Sequence, residues 1–215
     1  FDLSLKKFVT AIGAEEIKSR IPQVKYEEGK IIYEQQKNAL NVLVGDTVIY
    51  TIRVYNEGKV AGYVEKIADD IPEYLEYLPE NEINKQYKWE MLNIENQKTE
   101  NVEEARKLVT SYTSKENGGN LLNEFKESEY ENISYIDVKI VFRVKNPELS
   151  NYIIVNNAQI CEAITENGIE ISDADSTPNE WINGEDDQDY ENIKVQNFDK
   201  KKKKYVSSVK VIEGN

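Results

Sequence analysis

The chain has no histidine and a single cysteine, Cys161, in 215 residues. The first absence removes Ser-His-Asp and Cys-His catalysis, histidine metal sites and histidine pH switches. The second removes an intrachain disulfide and any cysteine-rich zinc site. Positive charge is scarce: 27 Lys and Arg stand against 40 Asp and Glu, a net charge of -13. Nucleic-acid partners are therefore not expected, because a phosphate-backbone binder needs clustered basic side chains. No apolar run approaches the ~18 residues of a membrane-spanning helix, so no membrane insertion is expected of this segment. No signal peptide is present at Phe1, and the chain reads as a segment excised from a longer protein. There is no Gly-rich phosphate loop or nucleotide motif, and no cofactor is expected.

What remains favours β-structure. Hydrophobic residues make up 39% and charged residues 31%, enough for a core under a well-solvated surface. Tyrosine is abundant, at 14 residues, and Val and Ile are frequent; such residues suit pleated, half-buried surfaces. Phe1 to Ile12 alternates with period two, placing Phe1, Leu3, Leu5, Lys7, Val9 and Ala11 on one face, so a lysine sits on an apolar side. Gly13 to Arg20 reads as a turn or short helix, and Ile31 to Tyr33 as a short strand. Ala39 to Asn56 gives the clearest signal: two strands separated by a Gly45-Asp46 turn. Gly62 to Ala68 starts another strand, and Pro72 and Pro79 bound a loop.

Further on, Ile83 to Leu92 reads as a strand containing Trp89. Val102 to Tyr112 has helical spacing, with Val102, Ala105, Leu108 and Val109 on one side, and Leu121 to Phe125 reads as a helical turn. Ser134 to Lys145 and Tyr152 to Ala163 are strands. In the second, Ile154, Asn156, Ala158 and Ile160 share a face, while Val155, Asn157, Gln159 and Cys161 share the other. Cys161 is expected to be a small packing residue. The expected fold is all-β, an Ig-like β-sandwich with a partly helical insertion at about 83-130. An acidic loop is expected at about 172-192, followed by a short β-like segment, Ile193 to Val195.

The tail echoes the head. FDKKKKKYVSSV (Phe198 to Val209) aligns without gaps to FDLSLKKFVTAI (Phe1 to Ile12), at an offset of about 197 residues. One domain over residues 1-197 is therefore expected, with 198-215 as the first strand of a following repeat or a C-terminal extension. Lys200 to Lys204 is otherwise a solvated basic run.

The segment VGDTVIYTIRVYNEG (Val44 to Gly58) resembles the signature of bacterial cell-surface tandem repeat domains of unknown function from Firmicutes, in which a Gly-Asp turn leads into a Tyr-containing strand ending in Asn-x-Gly. FDLSLKKFVT, SRIPQV, IADDIPEYLEYLP, EINKQYKW, NNAQICEA and DADSTPNE are similar to pieces of such repeats. The resemblance covers most of the chain and is specific as a set. It implies an Ig-like repeat in a stalk displayed from the cell wall, outside the cell, with neighbouring repeats of the same polypeptide as partners. Related Ig-like folds in Gram-positive adhesins and pilins often carry a spontaneous Lys-Asn isopeptide cross-link.

Such a bond needs a neutral lysine amine as nucleophile, an asparagine amide within reach, and a protonated carboxyl to polarise that amide and move protons. Burial shifts both ionisable groups the right way. Lys7 qualifies by register, among Leu3, Leu5 and Val9; Asn156 qualifies between Ile154 and Ala158. Asp69 matches the Asp before the Leu-Pro of the related repeats. Lys7 and Asn156 are therefore the expected cross-link, with Asp69 as the acid/base and Lys6, Asp70 and Asn157 as neighbouring alternatives. Each residue also has an ordinary structural role: a lysine snorkelling to the sheet rim, an asparagine bonding an edge, an aspartate capping a turn. The tail copy offers Lys204, but with Lys200 and Lys202 where Leu3 and Leu5 stand.

No enzymatic turnover is expected. A glycosidase pair cannot be picked out of 40 acidic residues. The acidic residues Asp173, Asp175, Glu185, Asp186, Asp187 and Asp189 lack the spacing of a calcium loop, so no metal site is assigned. The alternative to a stalk repeat is a ligand-binding adhesin module on the same fold. It would present Tyr87, Trp89, Tyr112, Phe125 and Tyr130 of the insertion to a host glycan or protein, although core packing explains these aromatics as well.

Overall fold

A computed structural model describes residues 1-170 and 186-196. Thirteen strands are present among them: β1 (Leu3–Ile12), β2 (Glu15–Glu16), β3 (Gln23–Glu27), β4 (Lys30–Glu34), β5 (Leu40–Leu43), β6 (Thr47–Asn56), β7 (Gly62–Asp70), β8 (Leu75–Tyr77), β9 (Glu90–Leu92), β10 (Lys107–Thr110), β11 (Tyr135–Val144), β12 (Tyr152–Thr165) and β13 (Gln188–Gln196). One short helix, α1 (Glu82–Gln86), precedes β9, and a 3-10 segment spans Glu127–Asn132.

The strands form two facing sheets, the all-β sandwich expected from the sequence. One sheet has the order β2-β1-β6-β11-β8, the other β5-β13-β12-β7-β10-β9, and β3 with β4 makes a separate hairpin. Period-two alternation explains the interior. Leu3, Leu5 and Val9 of β1, Val48, Tyr50, Ile52 and Val54 of β6, and Val138, Ile140, Phe142 and Val144 of β11 point inward from the first sheet. Val64 and Ile67 of β7, Leu108 of β10, Ile154, Ala158 and Ile160 of β12, and Ile193 and Val195 of β13 meet them from the second.

Several sequence expectations are corrected. Residues 102-112 contain no helix: β10 pairs with β7 through Leu108↔Asp69 and with β9 through Leu108↔Met91. The apolar spacing there fits either period over so short a run, and two neighbouring strand edges decide it. Ile83 to Leu92 is not one strand. Its first half is α1, started by Asn81, whose side chain accepts the Ile83 N–H. Lys88, in the left-handed region at φ 51, separates α1 from β9. The 72-79 loop contains β8, which pairs with the edge of β11. Leu122 bridges Gly62 in extended form instead of starting a helical turn. Gly13 to Arg20 holds a turn and β2, without a helix.

The Gly45-Asp46 turn separates two strands but closes no hairpin. β5 runs parallel to β13 in one sheet and β6 belongs to the other, so the turn carries the chain across the sandwich. Gly45 has φ 90, which only glycine adopts without strain. The acidic region expected as loop to 192 becomes strand at Gln188. Residues 171-185 and the tail repeat 198-215, with Lys200, Lys202 and Lys204, lie outside the described residues.

Candidate functional site

Lys7, Asp69 and Asn156 converge between the two sheets. Lys7 projects inward from β1, opposite Ile52 of β6. Asp69 stands on β7 of the facing sheet, opposite Ala158 of β12. Asn156 lies two residues before Ala158, hence on the same face of β12. Their relative exposures are 0%, 1% and 0%, so all three polar side chains are removed from bulk water.

Lys7 Nζ donates to Asp69 Oδ2 as a fully buried ion pair, makes a longer contact of 3.4 Å to the Asn157 carbonyl oxygen, and lies 5.1 Å from the centre of the Tyr50 ring. Asp69 Oδ1 and both amide atoms of Asn156 complete no hydrogen bond of good geometry, although the Asn156 amide is near enough to Asp69 to draw its pKa down. Buried polar atoms without partners are uncommon, and here three belong to two adjoining side chains.

Burial acts on both ionisable members. It pushes the Asp69 carboxyl up to about 6, against the opposing pull of Lys7. It lowers Lys7 from its ordinary value of 10.5, against the opposing pull of Asp69. Desolvation is the leading cause in each case, and both shifts move the pair toward a neutral amine beside a neutral acid.

The neighbouring alternatives sit elsewhere. Lys6 points to the other side of β1, bonded to Ser4 Oγ at 2.7 Å and lying over Tyr33. Asp70 is exposed, and Asn157 turns its side chain away from the Asn156 face. Cys161 is half-buried, and burial pushes its thiol up to about 11, which suits a packing residue. Among the described residues no cluster of acids is arranged to hold a metal ion.

Sequence reading missed a second buried group, Glu191. It stands on β13 directly opposite Asn156, and its Oε1 accepts from Arg20 at 2.6 Å. Arg20 and Glu191 are 1% and 0% exposed. Beside them Lys37 donates to Asp189 at 2.6 Å. The alternation of Glu191, Ile193 and Val195 was the available signal, masked by the surrounding acidic composition.

Of the insertion aromatics, Trp89 is buried and donates to the Lys139 carbonyl at 2.8 Å. Phe125 and Tyr130 pack around Tyr26. Tyr87 and Tyr112 meet edge to face at 4.9 Å and, with Tyr135 and Asp137, line a cleft of about 350 Å³.

No known family model matches the chain, and no curated protein matches it. Among solved structures it is similar to BcpA, the major pilin subunit of Bacillus cereus, at 12% identity and a TM-score of 0.37, over 90% of this chain and 40% of the pilin. A variant of that pilin aligns at 11% identity and a TM-score of 0.35, over 86% of this chain and 53% of its own. A protein from Nocardia farcinica with an immunoglobulin-like fold aligns at 14% identity and a TM-score of 0.35, over 75% of this chain and 96% of its own. The chain thus spans well under two thirds of the pilin subunit it resembles.

Proposed function

We propose that this domain is a structural repeat of a bacterial surface stalk, held outside the cell, and that a spontaneous Lys7–Asn156 isopeptide bond welds its first strand to β12. One observation carries the reading: a lysine, a carboxyl and an otherwise unbonded asparagine amide meet in a water-free pocket between the sheets. A plain structural ion pair accounts for Lys7 and Asp69 but leaves the Asn156 amide atoms without a purpose.

The chemistry balances without a cofactor. Neutral Lys7 Nζ attacks the side-chain carbonyl carbon of Asn156 while protonated Asp69 hydrogen-bonds to the amide oxygen. Asp69 gives its own proton to the departing amide nitrogen and takes one from the attacking nitrogen, so the acid is regenerated. The carbon–nitrogen bond of the old amide breaks, one ammonia leaves, and the new amide joins the two strands. Low dielectric favours the neutral amine and the neutral acid from which the reaction starts, since it discourages charge on both.

The weld would suit a stalk. Force applied at the two ends of the domain would pass from β1 through the bond into β12 and bypass all the strands between. Intact mass tests the reading: the wild-type chain should be lighter than its sequence by one ammonia, and Lys7→Ala and Asn156→Ala should have their full sequence masses. A wild-type chain at full mass would end the proposal.

A ligand-binding module is the second reading, favoured by the tyrosine-lined cleft at Tyr87, Tyr112 and Tyr135. Binding on a glycan array that is lost in Tyr112→Ala would support it, and an array without signal would remove it.

A further inference from the structure

The edge of β1 that faces away from β6 is not paired with another strand over Leu5 to Val9. Its N–H groups are nevertheless satisfied, and every partner comes from the β13 region. Leu5 N–H donates to the Asp186 carbonyl at 2.7 Å, Lys7 N–H to Asp189 Oδ2 at 2.7 Å, and Val9 N–H to Glu191 Oε2 at 3.3 Å. The Lys7 carbonyl is held in turn by Gln35 Nε2 at 2.5 Å and Lys37 Nζ at 3.0 Å. Both free backbone groups of the proposed nucleophile are thus gripped by side chains.

The two gripping carboxylates are themselves fixed. Lys37 bonds Asp189, and Arg20 bonds Glu191 while also reaching the Asn38 side chain at 3.1 Å and the Asn38 carbonyl at 2.7 Å. Asp189 is registered opposite Ala158, and Glu191 opposite Asn156. A carboxylate ladder therefore replaces the missing backbone ladder and ties Lys7 to the strands that present Asn156.

We infer that Asp189 and Lys37, with Glu191 and Arg20 beside them, are positioning residues that set the distance between the Lys7 amine and the Asn156 amide. The inference rests on the cross-linking reading. It adds that docking of the free β1 edge on β13, as well as the pocket, brings the reacting atoms together. A displacement of about 1 Å at the reacting atoms costs on the order of a hundredfold in rate. Asp189 itself touches neither the amide nor the amine, so it acts through the Lys7 backbone.

The test follows ammonia loss by intact mass in the full chain, sampled over time after cell-free synthesis. Asp189→Ala should slow the loss at least about tenfold, whereas Asp189→Asn, which still accepts the Lys7 N–H, should restore a rate close to wild type. The same substitutions placed in a Lys7→Ala background, where no bond can form, report folding alone through their melting temperatures. Slow conversion in Asp189→Ala, with melting close to that of Lys7→Ala alone, supports positioning. Conversion at the wild-type rate in Asp189→Ala overturns this inference and leaves the cross-link standing. Equal slowing in Asp189→Asn and Asp189→Ala also overturns it. A wild-type chain that never loses ammonia overturns the cross-link and the inference together.

Discussion

Asn156 and Glu191 face each other across adjacent antiparallel strands, both wholly buried, yet their polar atoms fare oppositely. Glu191 binds Arg20 through one carboxylate oxygen and the Val9 N–H through the other, while the Asn156 amide completes no bond of good geometry. Two carboxyl groups thus flank the asparagine, and their surroundings divide the labour. Glu191 is held by the Arg20 guanidinium and by two backbone N–H groups, those of Val9 and Asn192; Asp69 has a lysine, the nearby Asn156 amide and one oxygen without a bond of good geometry. Burial pushes both carboxyls up, and on the cross-linking reading Asp69, which lies against the Lys7 amine, is the one assigned to carry a proton to the amide.

The first prediction follows from that division. Asp69→Asn keeps the size of the side chain but cannot shuttle a proton, so the chain should fold and stay at its full sequence mass. A variant that still loses ammonia beyond background would assign the acid role elsewhere. Because the change removes the charge that Lys7 faces, the folded chain should also lose stability, by about 3–5 kcal/mol if the lysine remains protonated. Chemical denaturation of Asp69→Asn against Asn156→Ala measures that difference between two chains that both lack the bond.

The pH dependence of an Asn156→Ala chain has a defined sign. Asp69 releases its proton near 3.8 when unfolded and near 6 when folded, chiefly because burial disfavours the carboxylate. Between these values the folded state binds more protons than the unfolded one, so stability should fall as pH rises from about 4 to about 6. Lys7 acts in the opposite sense: its folded value lies below 10.5, so stability should be regained as pH climbs toward 10.5. Removing Asn156 also removes a group that lowers the Asp69 value, which widens the acid window upward. Urea midpoints across pH should trace this dip, and adding Asp69→Asn should flatten its acid limb.

Much of this architecture was legible in the residues. The alternation through Val48, Tyr50, Ile52 and Val54, and through Ile136 to Val144, demands half-buried strands, and the same alternation puts Lys7 and Asn156 on inward faces. The elements that differ are short: β8 at a sheet edge, β10 between β7 and β9, and the helix α1. The run at 102-112 carries apolar residues compatible with two periods, and only the exposed edges of β7 and β9 choose the strand. Glu191 and Asp189 escaped because acidic composition suggests solvent. The burial of Glu191 and the partial burial of Asp189 depend on Arg20 and Lys37, far away in sequence, and no local pattern reports that pairing.

The Asn-x-Gly at the end of β6 has a structural explanation, which gives the third prediction. Asn56 is fully buried and its amide nitrogen donates to the carbonyls of Val60, Leu122 and Asn123 at 2.9, 3.2 and 3.0 Å, while its oxygen accepts the Gly58 N–H at 3.0 Å. This one side chain fastens the β6–β7 turn to the insertion. Asn56→Ala should cost about 3 kcal/mol by leaving buried carbonyls unpaired. At Gly58 an added Cβ would lie 2.5 Å from the Asp2 nitrogen and 2.9 Å from the Phe1 Cα, so Gly58→Ala must push the start of the chain away. Both variants should melt earlier, and neither should alter the chemistry of the pocket once folded.

The last prediction concerns what the bond would do for the unfolded chain. Lys7 and Asn156 enclose a loop of about 150 residues, and by the chain-entropy logic used for disulfides a tie of that length stabilises by about 5 kcal/mol. Asn156→Ala should therefore unfold at lower denaturant than wild type while keeping the Lys7–Asp69 pair. A lower midpoint alone does not separate a lost bond from a lost packing contact. The slope of the transition does: a tied unfolded chain exposes less surface, so wild type should have the smaller dependence on denaturant and Asn156→Ala the larger. Packing loss without a change in the unfolded state leaves the slope unaltered. Parallel slopes with different midpoints would therefore count against a covalent tie even before a mass is measured, and a steeper slope in Lys7→Ala as well would trace the effect to both ends of the same bond.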